Sequence, residues 1–530
     1  MEHNMEHLLT ADEMKACDRE AVESRNVTAE SLMDKASLGV SKVAAKMLRD
    51  PQAKNIVILC GKGNNGGDGL GAGYYLAQKG ANVTICLVGT ADEITGDAKT
   101  FLDKLKQLPT DHSKIEILEF EKSQINLDEY DLVIDAVLGT GISGEPKDAA
   151  QKAIELMKKT IIPILAVDVP SGINSSNGTV FTVAPNADAT ATMAYVKRGL
   201  LMNEGKDLSG KVFVVDIGMP SDLEMLGQSE TFIINCDDVR NLLPSRKAET
   251  YKHAVGKIFG LVGSAGMTGA GVMVGQAAMR AGAGAVVLGI PSESSTIFGS
   301  KLTEVMTLPL PQTRDGSLSL AVLLQIQKNL EWADVLVIGP GLSRNQETSQ
   351  MLVKLLRGYA GKTVVDADAL HAIADQPEIL PETHAELIMT PHHGEFSRLS
   401  KMSLEEIAKN RVEVARRYAK EHQVTLVLKG SPTVIASKDG KVFVNVHGNP
   451  GMATAGMGDV LTGIISAMLG QKLQPLDAAI AGVYLHSVAG DIALEAKGMY
   501  SLLATDVIES LPAAFRKIQS GEVFEFEKIS

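Results

Sequence analysis

Residues 447–470 read HGNPGMATAGMGDVLTGIISAMLG. Gly448, Gly451, Gly456 and Gly458 precede Asp459, and an apolar run from Val460 to Leu469 follows at once. Glycines let backbone N–H groups close on an anion, and a helix start adds partial positive charge. An aspartate there is poorly placed to hold phosphate itself. It is well placed to take a proton from a hydroxyl that attacks phosphorus. A plain N-cap is the bland alternative for Asp459; four glycines around it favour catalysis. No G-x-x-x-x-G-K-[ST] stretch occurs, which removes the P-loop class.

Working outward, the flanking chain alternates short apolar runs with amphipathic helical stretches. The candidate strands are 257–262, 285–288, 335–338, 363–366, 387–390 and 425–429 in this half. In the other half they are 55–60, 82–88, 132–136, 164–169 and 212–217, with a helix near 148–158. Such alternation predicts α/β domains, each a parallel sheet covered by helices on both faces. The cadence breaks across residues 223–250, so two domains are expected, 1–226 and 227–530.

Several strand ends in the second half lead into ligand-type loops. Gly339-Pro340-Gly341 and Gly263-Ser264-Ala265-Gly266 sit where substrate loops belong. Lys429-Gly430-Ser431-Pro432-Thr433 offers a cation and a tight turn; nucleotide phosphate binding and a hairpin turn with a solvated lysine stay equally open. His392 and His393 are adjacent, so their side chains face opposite ways in extended chain. A two-histidine metal site is thereby disfavoured, and one of the pair is expected at the ligand.

The first half carries GKGNNGGDG after its first strand. Gly61, Gly63 and Gly66 satisfy G-x-G-x-x-G, yet the second strand ends LVGT, without the acidic residue an ordinary dinucleotide site uses for ribose. Asp68 would also repel a pyrophosphate at the helix start. The turn therefore suits a hydroxylated or amide-bearing ligand, or a metal ion. Asp135, Asp168 and Asp216 each end a strand. The first two run into the Gly-rich loops GTGISGE and PSGINSSNG, where ligand contact and simple turn capping are evenly matched. Asp216 lacks such a loop and reads as structural.

Composition narrows the class. With 51 Lys and Arg against 64 Asp and Glu, the formal charge is −13, which disfavours nucleic acid as a main partner. Membrane-length apolar runs are absent, and the acidic start, MEHNMEHLLTADEMKACDRE, resembles no targeting segment; a cytoplasmic protein is expected. Four scattered cysteines with no CxxC give no support to zinc or a disulfide framework, and Cys60 and Cys86 read as buried small thiols. Few aromatics and many small residues permit close helix packing, and a homo-oligomer is expected.

These motifs carry a resemblance. Asn64-Asn65-Gly66-Gly67-Asp68, Asp135 with residues 139–145, and Asp168-Val169-Pro170-Ser171-Gly172 resemble the NAD(P)H-hydrate epimerase family over about residues 8–220. It implies a Rossmann-like three-layer domain. It also implies that Asn64, Asn65, Gly66, Gly67, Asp68, Gly139, Thr140, Gly141, Ile142, Ser143, Gly144, Glu145 and Asp168 contact the hydrated nicotinamide nucleotide, with Asp168 catalytic. Asn65, Asp135 and Ser171 would help hold K+, which offsets the carboxylates.

In the second half GSAGMTGAG, GPGL, PHHGE, KGSPT and NPGMATAGMGDVLTGII, in that order, resemble the ADP-dependent NAD(P)H-hydrate dehydratase family of the ribokinase-like superfamily. The resemblance covers about residues 240–515. It implies that Ala270, Gly341, His392 and Asp459 contact the hydrate. Lys429, Gly430, Ser431, Pro432, Thr433 and Gly458 would bind ADP, with Mg2+ screening its phosphates. One departure is Lys252-His253-Ala254, where the family pattern has His-Lys-Gly.

The expected function is therefore twofold: interconversion of R and S NAD(P)HX, and ADP-driven dehydration of the S form to NAD(P)H, with AMP and phosphate released. The rival is a ribokinase-like kinase of vitamin precursors whose N-terminal domain only binds ligand. ADP against ATP stays open at this point.

Overall fold

The computed structural model describes residues 5–108, 114–142, 144–245 and 255–530. The Lys252-His253-Ala254 departure and the candidate contact Ser143 lie outside them. Two compact units form: residues 6–230 with the tail 526–530, and residues 231–525.

The first unit is built on an eight-stranded sheet. Its order is Glu527–Ile529, Lys211–Val215, Ala189–Met193, Ile164–Val167, Leu132–Ala136, Asn55–Cys60, Asn82–Leu87, Ile115–Glu119, and every pairing is parallel. Strand period explains the layers. Ile56, Ile58 and Cys60 face one side with Met33, Val40, Leu70 and Phe101 of covering helices. Val57 and Leu59 face the other, with Ala153, Ile154 and Met157 of the helix Asp148–Met157. All four cysteines are free and buried, Cys60 and Cys86 among the strands as expected. The tail strand Glu527–Ile529 differs from the sequence division, which placed it with the second domain. It pairs with Lys211–Val215, and Glu527 meets Lys46 and Lys211.

The second unit orders its strands Met306–Leu310, Ala285–Pro291, Lys257–Leu261, Val335–Ile338, Lys362–Val365, Glu386–Met389, Thr425–Leu428, Thr433–Ala436, Val442–Asn445, Thr231–Ile233. Only Thr433–Ala436 runs antiparallel to its neighbours. One sheet face packs with the helices Thr268–Arg280, Met457–Gly470, Pro475–Lys497 and Ala504–Ser520 through Ile258, Val286, Val335, Val337 and Val364. Phe259, Leu261, Leu336 and Ile338 point the other way and are equally buried.

Both sheets reverse their winding next to their first central strand. In one unit Asn55–Cys60 lies between Asn82–Leu87 and Leu132–Ala136. In the other, Lys257–Leu261 lies between Ala285–Pro291 and Val335–Ile338. The loops that leave the carboxyl ends of such strands diverge and open a crevice. Every Gly-rich motif singled out above follows the carboxyl end of a strand, and GKGNNGGDG, GTGISGE, GSAG and GPG follow the strands at these reversals.

Candidate active sites

In the first unit Gly61 to Gly63 turn directly into the helix Asn64–Gln78. A Cβ on Gly66 would stand 1.9 Å from the Gly61 carbonyl oxygen, so the turn closes only with glycine there. Asp135 is fully buried at the end of Leu132–Ala136. Its carboxylate accepts the Ser171 N–H at 2.8 Å, the Ser171 hydroxyl at 2.6 Å and the Val137 N–H at 3.3 Å. Burial still pushes it up to about 6. Ser171 Oγ also accepts the Leu138 N–H at 2.9 Å and lies 3.1 Å from the Leu138 carbonyl. Asn65 reaches the same loop: a Cβ on Gly139 would fall 2.8 Å from its Oδ1, and its Nδ2 is buried without a hydrogen-bond partner.

Asp168 follows Ile164–Val167 in the left-handed region, φ 66°. Its Oδ1 lies 2.6 Å from Lys197 Nζ and accepts weakly from Thr192 Oγ1 and the Met193 N–H. It therefore caps no turn of its own. Lys197 is buried and donates further to Thr192 Oγ1 and the Met193 carbonyl. Burial, with Asp168 and Asp18 nearby, holds Asp68 well above the ordinary carboxylate range. Asp18 is pushed up to about 6 by burial, with Lys197 opposing and Asp168 reinforcing. Three carboxylates thus share one buried lysine. Thr140 is half-buried, while Gly141, Gly144 and Glu145 are exposed on the neighbouring loop. Asp216 accepts the Gly218 N–H at 2.8 Å, a local turn bond that matches its structural reading.

The oxygens around Asn65, Asp135, Leu138 and Ser171 are hard donors and mostly neutral. They suit an alkali cation better than a transition metal. Among the described residues no cluster of three His, Cys, Asp or Glu forms a metal-holding group, and a K+ ion held largely by neutral oxygens needs none.

In the second unit Gly456, φ 91°, caps the helix Met457–Gly470, and Asp459 occupies its first turn. Among the described residues the Asp459 carboxylate has no hydrogen-bond partner, so it is not spent as an N-cap. Burial pushes it up to about 7, Asp366 and Asp368 reinforce the rise, and Lys429 opposes it. Lys429 is not the solvated residue of a simple hairpin. Its Nζ lies 2.8 Å from Asp366 Oδ1 and 4.0 Å from Glu395. Burial pulls Lys429 down, but Asp366 and Glu395 outweigh it and hold it above the ordinary lysine value. A Cβ on Gly458 would be 3.2 Å from Lys429 Nζ, which brings the glycine loop and the KGSPT turn together.

Asp366 is itself buried and accepts from Thr390 Oγ1 at 2.8 Å and Thr462 Oγ1 at 2.9 Å. His392 caps the helix His393–Ser400: its Nδ1 accepts the Gly394 and Glu395 N–H groups, so the ring proton belongs to Nε2. The side chain is largely exposed, whereas burial beside Arg411 pushes His393 down to about 4. The pair thus faces two environments, as its adjacency predicts. Lys429 N–H donates to the Pro391 carbonyl at 2.9 Å, and Thr433 Oγ1 donates to the Gly430 carbonyl at 3.0 Å. Arg411 Nη1 donates to the Pro432 carbonyl at 2.6 Å and shapes the turn around Ser431. Gly341 comes within reach of Ala270 across the crevice, where its Cβ would stand 3.0 Å away. Gly263 N–H donates to the Pro340 carbonyl, joining the two substrate-type loops.

Residues 29–199 match the family described as YjeF-related protein N-terminus, and residues 259–513 match NAD(P)H-hydrate dehydratase. The bifunctional NAD(P)H-hydrate repair enzyme Nnr of Moorella thermoacetica is 39% identical over 518 residues, 97% of each chain. The chain belongs to the bifunctional NAD(P)H-hydrate repair enzymes. The Escherichia coli protein of that name is 34% identical over 506 residues, 94% of this chain and 92% of its own. Among solved structures, the ADP/ATP-dependent NAD(P)H-hydrate dehydratase of Bacillus subtilis, co-crystallised with ATP/Mg2+, is 30% identical. It covers 54% of this chain and 98% of its own, with a TM-score of 0.47.

In this repair enzyme the sequence reading missed Asp18, Lys197, Asp366, Asp368 and Arg411. Asp366-Ala367-Asp368 was the one that carried a signal, since it ends a predicted strand in the same way as Asp135 and Asp168. Asp18 and Lys197 sit far from the Gly-rich turn in sequence and meet it only through tertiary packing. Among the described residues no helix is long and apolar enough to cross a membrane.

Proposed function

We propose that the first unit interconverts the R and S hydrates of NADH and NADPH and that the second dehydrates the S form with ADP. The observation that carries the second assignment is the unbonded Asp459 carboxylate in the first helical turn after the glycine loop, beside Lys429. Hydroxide is a poor leaving group. Asp459 takes the proton of the C6 hydroxyl as its oxygen bonds to the terminal phosphorus of ADP, and the P–O bond to AMP breaks. The C6–O bond then breaks with phosphate as leaving group, and loss of a neighbouring C–H proton restores the ring double bond. Glycine-loop N–H groups and Lys429 face the charge that develops on the transferred phosphoryl. Mg2+ bound with the nucleotide would screen its phosphates. Ala270, Gly341 and His392 line the hydrate side, and Lys429 to Thr433 with Gly458 the nucleotide side.

In the first unit Asp168 takes and returns a proton at the hydrated ring. Lys197 beside it pairs with the carboxylate and holds it in place, and the strained backbone of Asp168 aims it out of the strand end. Asn64 to Asp68 and Gly139 to Glu145 line the nucleotide. Asn65, Asp135 and Ser171 would hold K+, whose charge would balance the buried carboxylates.

The test uses mixed R and S hydrated NADH, Mg2+, K+ and ADP, followed in the reduced-nicotinamide absorbance band. Full recovery beyond a no-enzyme control for slow spontaneous epimerisation supports both assignments. Recovery that stalls near half removes catalysis from the first unit. A stable phosphorylated metabolite in place of free phosphate would return the kinase reading.

A further inference from the structure

The second unit holds a polar cluster that the phosphoryl-transfer residues do not use. His447 stands two residues beyond the strand Val442–Asn445, at the entry of the glycine loop. Its Nδ1 lies 3.5 Å from Asp491 Oδ2 and its Nε2 3.4 Å from Glu525 Oε1. The ring meets Tyr484 edge-on, with centroids 5.1 Å apart, and the Tyr484 hydroxyl donates to the same Glu525 oxygen. Cys236 borders Tyr484 and Glu525 as a thiol that burial pushes up, so it adds no charge at neutral pH.

Asp491 has a second task. It accepts the Gly448 N–H at 3.1 Å and Asn449 Nδ2 at 2.8 Å. The His447 carbonyl accepts Asn445 Nδ2 at 2.9 Å, and that amide also donates to Ser487. The first two residues of the loop therefore hang from Asp491, and His447 balances the charge of Asp491. A neutral imidazole carries one ring N–H, so one of the two carboxylates would then face a lone pair. Burial alone would lower this histidine, but Asp491 and Glu525 outweigh it and raise it to about 9.

We propose that His447 is a positioning residue for phosphoryl transfer. As an imidazolium between Asp491 and Glu525 it fixes Asp491, and through it Gly448 and Asn449, at the entry of the loop that leads to Asp459. The proposal rests on the reading of that loop as the phosphate cradle.

The test measures dehydration kcat and KM for ADP between pH 7 and 10.5 in the full chain. Wild type, H447Q, E525Q, H447Q/E525Q and D459N are compared, with melting temperatures taken in parallel. In the wild type kcat falls as pH passes about 9 while KM changes less. H447Q lowers kcat on the order of tenfold at neutral pH, through a displaced loop, and shows no alkaline limb. Adding E525Q to H447Q recovers part of the loss, because Asp491 no longer faces a second carboxylate. E525Q alone moves the alkaline limb to lower pH, and this arm stands even where H447Q does not fold. Wild-type kcat in H447Q, an alkaline limb that survives H447Q, or an unmoved limb in E525Q would each overturn the proposal. Dehydration that persists in D459N would instead overturn the phosphate-cradle reading beneath it.

Discussion

Asp459→Asn should make the protein more stable and nearly inactive as a dehydratase at the same time. The carboxylate stands at about 7 in the folded chain against 3.8 when unperturbed. At about 1.4 kcal/mol per tenfold, that gap sets an upper bound of about 4 kcal/mol on the stability it removes once ionised. Partial access to water cuts this to about 2 kcal/mol. The sign follows from the raised value: the unfolded chain loses its proton first. Stability therefore falls as pH rises through roughly 4 to 7 and is constant above. Asparagine has the same shape and no charge, so the variant should gain little at pH 5 and most at pH 8. For a unit of about 300 residues about 2 kcal/mol corresponds to roughly 3 °C in melting temperature. The same variant should lose about 10²–10⁴-fold in dehydration rate, the usual worth of a positioned base. Thermal melts at both pH values and the absorbance assay check the two halves. A variant no more stable than wild type at pH 8, or one that keeps most of its activity, would refute the assignment of Asp459 as a buried, underused base.

Four other outcomes are expected. The dehydration rate of the wild type should rise with pH through about 7, because Asp459 works deprotonated, and a pH–kcat profile reads this directly. Lys429→Met should raise the KM for ADP and cost about 3–5 kcal/mol in denaturant unfolding, since Asp366 and Glu395 would be left buried without their cation. It should also move that acid limb upward, because Lys429 opposes the rise of Asp459. Asp168→Asn should abolish epimerisation and leave dehydration of purified S hydrate intact, separable by chiral chromatography of the residual hydrates. Ser171→Ala removes the hydroxyl bond to Asp135, so it should cost about 1–3 kcal/mol and abolish any K+ dependence of epimerisation, checked by melts and by K+ titration.

The sequence by itself determined two α/β units and most of their central parallel strands, and it singled out the loops proposed here to carry ligand chemistry. Runs such as IVILC at 56–60 and VLVI at 335–338 are apolar at every position, and that pattern suits only strands buried on both faces. Glycine, aspartate and helix start stand within one turn of each other at 456–459, so Asp459 was legible without a structure. What the chain alone left open were the partners of each charge. Whether Lys429 lies in solvent or pairs with a buried carboxylate depends on Asp366, 63 residues away. Whether Asp168 caps its own turn or meets a lysine depends on Lys197, which arrives by way of the strand Ala189–Met193, itself missing from the sequence reading. Element identity follows from local periodicity, which neighbouring residues encode. Charge pairing is set by how distant strands order themselves in a sheet, and only the tertiary structure holds that order.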